Sequence, residues 1–180
     1  DRSQVDNINL SFIKSAEIMR GSSSSIYGNA SGGVIQLFTE PYPKQRQIKS
    51  SISIGGFGYR NIQSSIGDGA SAQKYMLKVS SKSYDGYRDN SEMNSFNINM
   101  KSLFELNQNS TLSMHYNYVD SPLSNDPGSL NKEQAGENRR SARIQNIDYQ
   151  SGEKVLQHRL GASYKLKISN SSKLDILSFY

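Results

Sequence analysis

The chain has 180 residues, only 34% of them hydrophobic, and a mean hydropathy of −0.67, so a soluble domain closed around an apolar core would be thinly filled. No apolar run approaches the ~18 residues of a membrane-spanning helix, which excludes a helical span but not a barrel, whose strands face lipid only at every second position. The absence of cysteine excludes disulfides and thiolate metal sites, and the net charge of +5 comes from dispersed basic residues with no basic run, which argues against nucleic acid as a partner.

Residues Asp1 to about Glu40 read as the end of a small α/β unit. Val5 to Phe12 is mildly periodic, Ile13 to Met19 reads as a short strand, and Val34 to Phe38 reads as a buried one. The stretch Arg20 to Thr39 includes the second of these, and in it a Gly turn and a small polar run, Ser22 to Ser25, lead through Tyr27-Gly28 and Gly32-Gly33 into the apolar residues. Pro41 and Pro43 then break any strand and mark a boundary, dividing the chain into residues 1–43 and 44–180.

From Gln47 the pattern alternates with period two, the signature of strands with one apolar and one polar face. Strands are predicted over Gln47 to Ile54, Tyr59 to Gly67, Gln73 to Tyr84, Asn94 to Leu106, Thr111 to Val119, Leu156 to Ile168 and Lys173 to Tyr180. The connections near Asp68, Asn107 and Asn170 are tight, whereas those after Tyr84 and Val119 are long. The first, at Gly55 to Gly58, is short although it shares an end with the long ones. Within the irregular segment Asp120 to Val155, Ile144 to Tyr149 reads as a strand extension.

Glu17-Ile18-Met19-Arg20-Gly21 followed by Ser24, Tyr27-Gly28, Gly32-Gly33-Val34-Ile35 and Thr39 resembles the closing signature of the plug domain in TonB-dependent outer-membrane receptors. The family pattern has the form E-x-x-R-G-P-x-S-x-x-Y-G-x-x-x-x-G-G-V-I-x-x-x-T, and Ser22 stands here in place of its proline. Asp85 to Asn90 and Ser121 to Gly128 also resemble early barrel loops. The resemblance implies a mainly β protein, in which the C-terminal part of a small α/β plug precedes about seven strands of an antiparallel transmembrane β-barrel. It places the protein in the bacterial outer membrane, among lipid and lipopolysaccharide. There it would import a scarce nutrient such as a ferric siderophore, driven by the TonB energy-transducing protein through a segment outside these residues. It also implies that the sequence begins inside a longer, exported chain, since nothing at Asp1 resembles a signal peptide. A structural or adhesive outer-membrane β-protein without transport is the alternative reading.

No catalytic constellation is visible, so no enzyme activity, cofactor or metal is expected. His115 and His158 fall on opposite parities of their strands, which argues against a shared metal site. The resemblance marks Arg20 and Tyr27 as plug-to-barrel contacts, with Glu105 or a residue beyond Tyr180 as the carboxylate partner of Arg20. Lys49, Lys78, Lys82, Lys101, Lys165 and Lys167 share the polar parity, which would turn them towards a lumen; pairing with plug carboxylates and attraction of an anionic chelate both fit. For ligand contact the candidates by position are Tyr84, Tyr87, Arg88, Asn125 and Asp126, residue types that suit aromatic and anionic groups.

Overall fold

The computed structural model describes residues 10–21 and 32–180 and divides the chain into two compact units, Asp1–Tyr42 and Pro43–Tyr180. In the first unit a 3-10 turn, Leu10–Phe12, leads into strand β1, Ile13–Arg20, which pairs antiparallel with β2, Gly33–Thr39. The register runs from Arg20 opposite Gly33 to Ile13 opposite Thr39, and Glu40 N–H donates to the Phe12 carbonyl at 3.0 Å to close the far end. Gly33 has φ +139°, and the Met19 carbonyl stands where a Cβ would project. Only glycine meets both demands there. The remainder of the plug-like signature, including Ser24, Tyr27 and Gly28, lies outside the described residues.

The second unit is a seven-stranded antiparallel sheet. Its strands are β3 Gln47–Ile54, β4 Arg60–Asp68, β5 Gln73–Tyr84, β6 Met93–Asn107, β7 Ser110–Ser124, β8 Val155–Lys167 and β9 Lys173–Phe179, each paired with the next in sequence. Such a meander needs only local reversals. Asp68 Oδ1 accepts from Ala70 N–H at one, and Asn107 Oδ1 from Asn109 N–H at another, both at 2.9 Å. These side chains mimic a backbone turn.

Two sequence expectations are corrected. Strand β7 runs on to Ser124 instead of stopping at Val119, because its ladder with β6 absorbs Pro122 in a bulge. Asp120 faces Phe96 and Leu123 faces Asn94, leaving Ser121 and Pro122 opposite Ser95. A bulge leaves a residue without ladder bonds, which is where a residue lacking N–H can sit in a strand. The segment expected to extend a strand at Ile144 to Tyr149 is a short helix, one of two in the long connection: α1, Lys132–Glu137, and α2, Ile144–Asp148. Ile144 and Ile147 recur at a helical interval of three, and the carbonyls of Arg143 and Gln145 are taken by local N–H groups of Asn146 and Tyr149.

The two faces of the sheet differ sharply. One transverse row reads Ile48, Ile66, Leu77, Met100, Tyr116, Leu160, and the adjacent row on the opposite face reads Lys49, Ser65, Lys78, Asn99, Asn117, Arg159. Exposure runs opposite to that of a soluble core. Ile48 is 68% and Met100 44% exposed, while Lys78, Asn99 and Lys101 are 9%, 7% and 4% exposed. The six lysines singled out by parity share the polar face. No helix among the described residues is long and apolar enough to cross a membrane.

Candidate ligand-binding loops

In a meander every second connection returns to the same end, so the loops after β3, β5 and β7 lie together. They are joined by hydrogen bonds from backbone to backbone and from a few side chains. At the β3–β4 hairpin the Phe57 carbonyl accepts from the N–H groups of Asp85 and Gly86 at 3.0 and 3.3 Å. Residue 58 has φ +70°, and the Asp85 carboxylate fills the space where its side chain would stand, so glycine is required.

Arg88 is the main link between the second and third loops. Its Nε donates to the Ser141 carbonyl at 3.0 Å, Nη1 to Gly128 at 2.6 Å, and Nη2 to Ser141 at 2.9 Å and Pro127 at 3.3 Å. Asn90 adds Nδ2 contacts to the carbonyls of Asp126 at 2.9 Å and Ser151 at 3.3 Å. A planar guanidinium with donors in a fixed fork suits this task, since one side chain reaches three loop carbonyls, of which Pro127 also accepts from Arg143 N–H at 2.8 Å.

The five candidate contact residues separate into groups. Asn125 donates to Glu92 Oε2 at 2.8 Å, and Asp126 Oδ1 accepts from Gly128 N–H at 2.9 Å. With Arg88 they form the scaffold of the loop cluster. Tyr84 ends β5 and meets Tyr59 edge-on, ring centroids 6.3 Å apart. Tyr87 is exposed and contacts both Phe57, at 5.1 Å between centroids, and the Arg140 guanidinium, 5.8 Å above its ring.

Sequence reasoning passed over Phe57, Asn90 and Arg140. The clue to the first was Gly55-Gly56-Phe57-Gly58, an aromatic set inside a glycine turn. The clue to helix α1 was Asn131 followed by Gln134, a reciprocal capping pair seen as Gln134 N–H to Asn131 Oδ1 at 2.8 Å and Asn131 N–H to Gln134 Oε1 at 3.0 Å.

Of the residues marked as plug-to-barrel contacts, Arg20 closes β1 in an exposed position and Tyr27 lies outside the described residues. Glu105, one expected partner of Arg20, is bound by Lys74 Nζ at 2.6 Å. The histidines stand on opposite faces. His115 pairs across the ladder with Lys101 on the polar side, whereas His158 pairs with Tyr118 on the apolar side and hydrogen-bonds the Tyr116 hydroxyl through Nδ1 at 2.9 Å. No group of three or more metal-ligating side chains occurs among the described residues. The chain matches no protein-family model.

Proposed function

We propose that these residues form the end of a plug domain and the first strands of the barrel of a TonB-dependent outer-membrane transporter, which imports a scarce nutrient such as a ferric siderophore. The observation that carries the reading is the distribution of polarity on the seven-stranded sheet, with aliphatic residues exposed on one face and lysine and asparagine buried on the other. Water would penalise that arrangement and a bilayer would favour it. Each buried CH₂ transferred from water to hydrocarbon contributes about 0.8 kcal/mol, and lysine on a lipid face costs about 2–4 kcal/mol near the midplane. Strands of 12 to 15 residues in the middle of the sheet exceed the about 9–11 that cross the hydrocarbon layer, so they would project into the loop end. The plug-like motif around Arg20 supports transport over adhesion, whereas long connections at one end and tight ones at the other fit an outer-membrane barrel of either kind.

Cells expressing the full-length protein, with and without the energy-transducing partner, are the direct test. Radiolabelled ferric chelates, haem and cobalamin are offered in turn. The reading predicts binding of one cargo in both strains and accumulation only where the partner is present. Absence of binding across the panel would favour the structural or adhesive reading, and uptake independent of the partner would remove the TonB-dependent one.

A further inference from the structure

We propose that Phe57, Tyr87 and Arg140 form a recognition subsite for a planar aromatic anion at the loop end of the sheet. The proposal rests on the reading of these loops as the cargo-facing end, and it names the chemistry they select. Phe57 holds φ +57°, a region that bulky side chains seldom occupy, yet the residue remains 49% exposed. A bulky residue held at positive φ with half its surface open to solvent points to a role beyond packing. The ring meets Tyr87 nearly perpendicular, at an interplanar angle of 83°, and Tyr87 is itself 41% exposed.

Arg140 completes the group. Its Nε donates to the Tyr87 carbonyl at 3.2 Å, which fixes the guanidinium over the Tyr87 ring, while Nη1 and Nη2 bond no protein group among the described residues. The backbone beneath is clamped as well: the Phe57 carbonyl accepts from Asp85 and Gly86, and Arg140 O accepts from Asp89 N–H at 2.7 Å. The half-exposed Phe57 ring, the Tyr87 ring with the guanidinium over it, and that guanidinium's unused donors favour a flat π-system that carries one carboxylate or phenolate. Because these groups are already positioned, little ordering entropy is lost on binding. The Asp85 carboxylate against Gly58 places an acid in the same loop, so a bare anion gains little there and ring contact supplies the discrimination. Arg88 contributes nothing to this subsite, its donors being taken by loop carbonyls.

Binding of 2-naphthoate and of its saturated counterpart, decahydro-2-naphthoate, to the purified full-length protein can be measured calorimetrically. Transport is not required for the measurement, so its failure is separable from failure of the transport reading. The aromatic acid is expected to bind at least about tenfold more tightly than the saturated one. Phe57→Gly, which tolerates the positive φ, and Arg140→Gln are each expected to weaken it about fivefold, with Arg139→Gln unchanged. Tyr87→Leu serves as a second ring variant should Phe57→Gly alter the hairpin. Equal binding of the two acids, or full affinity in Arg140→Gln together with either ring variant, would overturn the proposal.

Discussion

Arg88 occupies a position that suits ligand contact by residue type, and its neighbours turn it to a different use. Four charge-assisted bonds from one guanidinium hold Pro127, Gly128 and Ser141, so Arg88→Ala leaves the Gly128 and Ser141 carbonyls without their partner, while Pro127 keeps the N–H of Arg143. The expected cost is about 2–3 kcal/mol, confined to the loop cluster. Hydrogen exchange should quicken over residues 125–154 while the strand amides keep their protection. Glycines of the first hairpin give a sharper contrast. Gly58→Ala meets both a positive φ and the Asp85 carboxylate, and should destabilise by about 1–3 kcal/mol, whereas Gly56→Ala has open space around it and should change little. Thermal unfolding of the two variants side by side checks this. At this scale the sequence was least legible. It placed Tyr87, Arg88, Asn125 and Asp126 in loops correctly, but which of them scaffold the loops and which face outward depends on contacts between residues some 40 to 53 apart.

Single elements were easier to read, because alternation of period two is a local property that tertiary contacts reinforce. Gln73–Tyr84 has the predicted bounds, and most other strand ends differ by a residue or so. Strand β7 departs for a physical reason: Asp120 and Pro122 look like breakers, and only pairing with β6 shows that Asp120 stays in register opposite Phe96 while a bulge accommodates Pro122. The helix at Ile144–Asp148 was hidden by its length, since five residues satisfy a helical interval and an alternation about equally. Face assignment yields a further prediction. Met100→Lys puts a charge on the apolar face and should cost about 2–4 kcal/mol in lipid vesicles, while Asn117→Lys, on the polar face beside Arg159, should cost far less. Urea unfolding of the membrane-inserted protein distinguishes the two, and equal losses would contradict the facing.

For the molecule as a whole, the deciding feature is that the seven-stranded sheet has one exposed apolar face and one largely buried polar face. Composition already hinted at this, since a chain with 34% hydrophobic residues and 180 positions has little to spare for a conventional core. Strands β3 and β9 each leave one edge unpaired among the described residues. Hydrocarbon cannot satisfy those backbone groups, so in a lipid-embedded form both edges must be paired. The plug-like motif was legible only as sequence, with much of it outside the described residues. The central claim, that the apolar face meets lipid, is tested most directly on β6. The chain lacks cysteine, so spin labels can be placed singly from Phe96 to Lys101 in the full-length protein in vesicles. Labels at Phe96, Ile98 and Met100 should collide freely with oxygen and rarely with a water-soluble nickel chelate, and those at Asn97, Asn99 and Lys101 should show the reverse or be shielded from both. Accessibility without a two-residue period, or nickel access at Ile98 and Met100, would contradict a membrane barrel.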